Sequence, residues 1–304
     1  MKLSSSFLRV LTGHSSKSIR SLHCSRVRSL KMAYSSYEST NPEVISSLPP
    51  LVIMHGLLGT RSNWNSLAKA IHAQTGRKVI TVDARNHGDS PHSDEMNYEV
   101  LASDIEELLV DLQIPKATVI GHSMGGRAAM ALALSNPSVV DSLIVVDVSP
   151  VNISPELRNL HTYFRAMKSF KIDPNLPRSS ARKMADQHLE PVVQNFMIRQ
   201  FLLTNLVEDQ GGFKWRVNLD VLEKSLDEIA KFPKYSTKFE EDTLFIGGEK
   251  SDYIRYEDHT PIRQLFPKAT FTYIAGAGHW VHSEKPYEFL GTVIPFLQAQ
   301  KARS

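Results

Sequence analysis

Cysteine is all but missing from this 304-residue chain: Cys24 is the only one, and it lies near the amino terminus. The rest of the chain has no thiol with which to build a disulfide, a thiolate metal site or a cysteine nucleophile. Long apolar runs are missing too. None approaches the roughly 20 residues that a membrane-spanning helix requires, the longest being interrupted by charge or glycine. Acidic residues are absent from positions 1–37, which carry seven Lys and Arg (Lys2, Arg9, Lys17, Arg20, Arg26, Arg28, Lys31) and many serines. Beyond that segment 28 basic residues face 32 acidic ones, so the formal net charge of +3 becomes −4. A mildly acidic body lacks the basic face that nucleic-acid binding needs. Internal repeats and low-complexity tracts are absent as well.

What is present describes a globular protein. Hydrophobic residues make up 41% and charged residues 22%, and the length allows one α/β core with an insertion. The Arg- and Ser-rich, acid-free segment over 1–33 reads as a mitochondrial transit peptide, amphipathic around Phe7-Leu8-Arg9-Val10-Leu11 and too short in apolar length for a secretory signal. The expected location is therefore mitochondrial, in the matrix. Residues 34–47 read as a linker into the body.

Within the body, buried strands alternate with amphipathic helices. Leu51-Val52-Ile53-Met54, Lys78 to Val82, Ala117 to Ile120 and Leu143 to Val146 are short apolar runs of the kind buried on both faces of a parallel sheet. Between them, Asn63 to Ala73 and Tyr98 to Leu112 carry apolar residues at helical spacing. This rhythm predicts a mostly parallel, doubly wound sheet. The core is expected over 48–150 and again over 236–304. From 151 to 235 the alternation fails, and Pro-broken helical segments (157–170, 181–188, 192–203, 220–230) predict a helical lid inserted between core strands. Strands at 243–246 and 270–274 and helices at 256–265 and 287–300 complete the pattern.

One turn carries the chemistry. Gly121-His122-Ser123-Met124-Gly125 sits between a β-branched strand and a helix of small residues, which is the setting of a nucleophile elbow. Glycines at 121 and 125 permit the tight reversal and leave Ser123 exposed above the sheet. Together with His55-Gly56-Leu57-Leu58-Gly59, the loop Asp83 to Ser90 and Trp215-Arg216-Val217-Asn218-Leu219-Asp220, the elbow makes residues 48–300 resemble the α/β-hydrolase superfamily. Within it, these longer strings are similar to a mitochondrial branch that includes an sn-1-specific diacylglycerol lipase and fungal alcohol acetyltransferases. The resemblance implies the α/β-hydrolase fold and a serine hydrolase needing no metal and no other cofactor.

A serine hydroxyl needs an adjacent base to become a nucleophile. His279, in a glycine-bearing loop straight after the last core strand, has the chain order expected of that base. His122 points away from Ser123 in such a turn and is expected to pack instead. Three residues compete for the orienting acid. Asp147 leads, since it ends the strand after the elbow, where several relatives place their acid. Asp252 follows the next strand, the commoner superfamily location, but its spacing is one residue long. Asp220 begins a helix, where aspartate usually caps, yet it belongs to the branch-matching string. The expected oxyanion hole combines the backbone amides of Met124 and Leu57. Asp83, His87 and Asp89 form a tempting metal trio, which the resemblance assigns a structural part instead. Of Tyr163, Phe164, Met167, Phe170, Phe196, Met197 and Phe201 in the lid, about one third are expected to face an acyl pocket.

The expected activity is cleavage of carboxylic esters through an acyl-enzyme. A lipid or acyl-ester small molecule is the expected partner, and the resemblance implies diacylglycerol cut at sn-1. Acyl thioesters, or transfer of the acyl group to an alcohol, would use the same residues. The resemblance also raises a role in stabilising the mitochondrial 2-oxoglutarate dehydrogenase complex. A serine at the elbow disfavours epoxide-hydrolase and dehalogenase chemistry, which needs an aspartate there.

Overall fold

The computed structural model describes residues 30–39, 48–153 and 159–301. The expected leader up to residue 29, with Cys24, lies outside the described residues, as do 40–47 of the linker and 154–158 of the lid.

Seven strands form one sheet: β1 (Tyr34–Tyr37), β2 (Leu51–Met54), β3 (Val79–Val82), β4 (Ala117–His122), β5 (Val140–Val146), β8 (Thr243–Gly248) and β9 (Ala269–Ile274). Their spatial order is β1-β3-β2-β4-β5-β8-β9, parallel throughout except for β1. Side chains alternate across it with period two. Val52, Met54, Ile80, Val82, Val119, Leu143, Val145 and Phe245 enter one core, while Leu51, Ile53, Val79, Ile120, Ile144, Val146 and Ile246 enter the other. The second core is closed by α1 (Asn65–Thr75), α10 (Val281–Glu284) and α11 (Pro286–Lys301), through Leu67, Ile71, Val281, Phe289 and Val293. The first is closed by α2 (Tyr98–Asp111) and α3 (Met124–Ser135), through Leu101, Ile105, Ala128 and Leu132. Pro295 sits inside α11 without ending it. Of the helix expected over 256–265, the α-helical part is α9 (His259–Leu265), and Pro261 falls in its first turn, where its missing N–H costs nothing.

Chain order reverses between β2 and β4. From β2 the chain moves outward to β3, then crosses back to β4 on the other side. The loops after β2 and β4 therefore leave adjacent strand ends at a topological switch point, where open α/β sheets hold their ligands.

Two expectations are corrected. Residues 34–37, expected as linker, form the edge strand β1, and the packed body starts earlier still. Met32 is buried, Leu30 N–H donates to Asp104 and Ala33 N–H to the Ser90 hydroxyl. Exposure alternates along Tyr34-Ser35-Ser36-Tyr37 with none of the four buried, as suits an edge strand. The lid is also not wholly helical. Besides α4 (Leu160–Ser169), α5 (Arg178–Leu189), α6 (Phe196–Leu203), α7 (Leu219–Lys224) and α8 (Leu226–Ala230), it contains a hairpin of β6 (Leu206–Asp209) and β7 (Gly212–Trp215). Its turn is Gln210-Gly211, both at positive φ (45° and 82°), the backbone that short hairpins demand. The helix expected over 220–230 is two pieces, broken at Ser225.

The lid is tied to the core by polar bonds. Arg127 of α3 is buried and donates to the carbonyls of Ser149, Asn152, Ile229 and Ala230. Tyr98 Oη donates to Ile229 C=O, and Asn205 Nδ2 donates to Leu58 C=O at 2.8 Å. Among the described residues, no helix is long and apolar enough to cross a membrane.

Candidate active site

The elbow turns as tightly as its glycines suggest. A Cβ on Gly121 would run into the Gly125 backbone, and one on Gly125 would run into the carbonyls of Met54 and His55. Only glycine lets α3 start so close to the end of β2. Ser123 takes φ 51° and ψ −116°, a conformation that costs a non-glycine residue about 1–3 kcal/mol and lifts its hydroxyl clear of the sheet.

Ser123 Oγ lies 3.1 Å from His279 Nε2, and His279 Nδ1 lies 2.8 Å from Asp147 Oδ2. Asp147 is fully buried. Its Oδ1 accepts the Gly248 N–H at 2.9 Å, and the Ser251 hydroxyl donates to Oδ2. With the carboxylate anchored, Nδ1 of His279 carries the proton and Nε2 is left to accept from Ser123. Such a chain of contacts, with every member held by a neighbour, is able to relay a proton.

Of the three aspartates, the structure brings only Asp147 to His279. The Asp252 carboxylate lies 3.7 Å from Arg255 on a partly exposed surface. Asp220 is exposed on α7 and bound to Lys168 Nζ at 2.6 Å, a contact that pulls its pKa below the ordinary carboxylate value. Asn218, not Asp220, caps that helix. The string around Asp220 serves instead to dock the lid: Asn218 N–H donates to Asn86 C=O, and Arg216 C=O pairs with His92 Nε2.

The two amides expected to stabilise an oxyanion belong to residues lining the same cavity. Met124 is the first residue of α3, where N–H groups lack intrahelical acceptors. Leu57 sits in a loop held from both sides. His55 Nε2 accepts the Ala84 N–H and His87 Nε2 accepts the Leu58 N–H, each at 3.0 Å. Both imidazoles donate from Nδ1 to backbone carbonyls, so both are neutral. Burial pushes the pKa of His55 down to about 4, and burial with the neighbouring His55 pushes His87 down to about 3.

His122 is buried and packs as expected, with Nε2 2.9 Å from the His279 carbonyl. Burial, then the rings of His282 and His279, hold its pKa well below the ordinary value. The tempting trio of Asp83, His87 and Asp89 is otherwise employed: Arg61 forms ion pairs with both aspartates. Among the described residues, no group of three His, Cys, Asp or Glu could hold a metal ion.

The site opens into a cavity of about 940 Å³ lined by core loops and lid. Tyr163, Met197 and Phe201 line it, three of the seven lid residues singled out by sequence. Phe164 and Met167 are instead buried in the lid core. Sequence reasoning missed Ser251 and Tyr253, whose ring stacks on His279. Both lie beside Asp252, in the loop where the acid itself was sought.

Comparison with known proteins agrees with this architecture. A family model described as alpha/beta hydrolase fold matches residues 49–286. The sn-1-specific diacylglycerol lipase ABHD11 of Mus musculus is 49% identical over 252 residues, 83% of this chain and 82% of that protein. The sn-1-specific diacylglycerol lipase ABHD11 of Danio rerio is 48% identical over 249 residues, 82% of this chain and 78% of that protein. Among solved structures, a marine microorganism esterase superposes with a TM-score of 0.80 at 34% identity, covering 88% of this chain and all of that one.

Proposed function

The chain belongs to the alpha/beta hydrolase fold family, and on that premise we propose that it cleaves the carboxylic esters of lipid-like substrates, with diacylglycerol cut at sn-1. In this reading Ser123 is the nucleophile, His279 the base and Asp147 the acid that orients it. Ser123 Oγ attacks the ester carbonyl carbon while its proton passes to His279 Nε2. The carbonyl oxygen becomes an oxyanion facing the Leu57 and Met124 amides. As the tetrahedral intermediate collapses, the imidazolium gives its proton to the departing alcohol, leaving an acyl-enzyme. Water, deprotonated by the same imidazole, then releases the fatty acid and restores Ser123.

The observation that carries this reading is the unbroken relay from Asp147 through His279 to Ser123 at the floor of a cavity. About 940 Å³ is at the upper end of small-molecule sites, enough for a long acyl chain. Leu57, Leu58, Tyr163, Met197, Ile198 and Phe201 give it apolar walls. Support for diacylglycerol comes from the names of the relatives.

A fluorophosphonate probe tests the nucleophile, since labelling of the full chain should vanish in Ser123→Ala. Acylglycerols, phospholipids and acyl thioesters offered to the full chain test the substrate. Fastest turnover on diacylglycerol, with free fatty acid from sn-1, is expected. Preference for a thioester or phospholipid would remove the lipase assignment and leave the serine chemistry standing. The mitochondrial location belongs to the same proposal, and residues 1–33 fused to a fluorescent protein should carry it into the matrix.

A further inference from the structure

Two hydrogen bonds do not immobilise an imidazole. The bonds at Nδ1 and Nε2 of His279 define an axis lying in the ring plane, and the ring can still pivot about that axis. What blocks the pivot is Tyr253. Its ring lies face-on to the imidazole, with centroids 3.8 Å apart and planes 17° from parallel. Tyr253 is buried and lines the cavity. His122 and Trp280 also approach His279, but at 42° and 69° and at centroid distances of 4.7 and 5.4 Å, so neither covers its face in this way.

The same short loop holds the acid. Gly248 N–H and the Ser251 hydroxyl grip the two oxygens of Asp147, and two residues later Tyr253 covers the base. One segment, 248–253, thus fixes both partners of the ion pair that forms during reaction. We propose that Tyr253 is a positioning residue of this site, holding the plane of His279 and favouring its cationic form. This rests on the reading of Ser123, His279 and Asp147 as nucleophile, base and acid.

The chemical reason is differential. Before reaction the imidazole is neutral, and the stack contributes packing alone. As the Ser123 proton moves to Nε2 and Oγ bonds to the carbonyl carbon, the ring gains a full positive charge. An aromatic face attracts that charge more strongly than it attracts the neutral ring. An interaction that strengthens on the way to the transition state raises kcat, while one present throughout alters only KM.

The test replaces Tyr253 in the full chain with Phe, with Leu, and with ring-fluorinated phenylalanines that keep the shape while weakening the negative face. Rates on a short-chain ester are measured from pH 5 to 9. Tyr253→Phe should stay within about three-fold of the parent. Tyr253→Leu should lose about ten-fold in kcat with KM little changed, and the acid limb of its pH profile should move to lower pH. Increasing fluorination should lower kcat stepwise, and because these rings pack alike the series does not depend on Leu being tolerated. An unchanged kcat across the fluorinated series overturns the proposal. So does a Leu variant whose acid limb stays in place, or a Phe variant as impaired as Leu. Ser123→Ala separates the two levels: if it retains activity the triad reading itself fails, and if it is inactive while the Tyr253 variants are unchanged only this proposal fails.

Discussion

Asp147→Asn should disable the enzyme by reversing a tautomer, and the structure shows why no side-chain flip rescues it. The Gly248 N–H is a fixed donor 2.9 Å from Oδ1. In the variant, the amide oxygen must stay on that N–H, because turning the NH2 group toward it would set donor against donor. The NH2 group then occupies the Oδ2 place, facing His279 Nδ1. A donor there makes Nδ1 the acceptor and moves the ring proton to Nε2, the atom 3.1 Å from Ser123 Oγ. An imidazole protonated at Nε2 cannot take the serine proton. Loss of the orienting carboxylate with geometry intact lowers kcat by about 10⁴-fold in a triad of this design, equivalent to about 5.5 kcal/mol of barrier. The assay is steady-state hydrolysis of a chromogenic short-chain ester, with melting curves to confirm folding. Asp252→Asn and Asp220→Asn are the controls. Their carboxylates meet Arg255 and Lys168 at the surface, so each should stay within about two-fold of the parent. A folded Asp147→Asn that keeps most of its activity, with Asp252→Asn or Asp220→Asn inactive, would refute the reasoning.

His282 is buried with Nδ1 unpartnered among the described residues and stacks on Trp64 at 4.2 Å; burial first, then His279, pushes its pKa from 6.5 to about 3. The unfolded chain binds a proton near pH 6.5 that the folded one refuses, so this residue's contribution to stability is lost as pH falls from about 6.5 toward 3, about 2 kcal/mol by pH 5. His282→Phe should therefore melt above the parent by a margin that widens from pH 8 to pH 5, and an equal margin at both would count against the argument. Gly125→Ala should fail to fold, its Cβ meeting the Met54 and His55 carbonyls, whereas Gly211→Ala, at φ 82° in open space, should cost only about 1 kcal/mol in denaturant titrations. Phe201→Trp narrows the cavity from the lid side, and the acyl-chain optimum should shift to shorter esters without loss of fluorophosphonate labelling.

Where sequence and structure agree, short-range physics is enough. Leu51 to Met54 reads as a strand because four apolar residues in a row can be buried only with both faces covered, and α1 and α2 supply the covers. Ser123 was visible because a tight strand-to-helix turn has few solutions, all needing glycine at close approaches. The β6–β7 hairpin was legible in principle from its Gln210-Gly211 turn and the alternating Phe213-Lys214-Trp215, but the surrounding helical periodicity masked it. The acid stayed open for a different reason. Sequence locates the ends of β5 and β8 but not which carboxylate reaches back over the sheet, and that depends on the turn at Asp147 and on donors a hundred residues away. The clamp of Ser251 and Tyr253 carries no local signature, because a serine and a tyrosine in a loop mean nothing until the loop is placed.

The sheet itself explains how two strained residues face each other so accurately. Ser123 and Asp147 end neighbouring strands, and both adopt positive φ, 51° and 49°. Released from context, each would relax by rotating its backbone and carry its side chain away from His279. Neither can, because each donates one more rung to the adjacent strand: Ser123 N–H to Val146 C=O at 3.0 Å, and Asp147 N–H to Ile246 C=O at 2.8 Å. The ladder fixes the amide, the reversed φ throws the side chain upward, and the strain of about 1–3 kcal/mol per residue is held by the strands. β4, β5 and β8 thus act as one ruler, setting Ser123 and Asp147 one strand apart and leaving only His279 on a loop. His279 lies off the ladder, and its hold comes from side chains instead: Asp147 at Nδ1 and the Tyr253 ring stacked on its face.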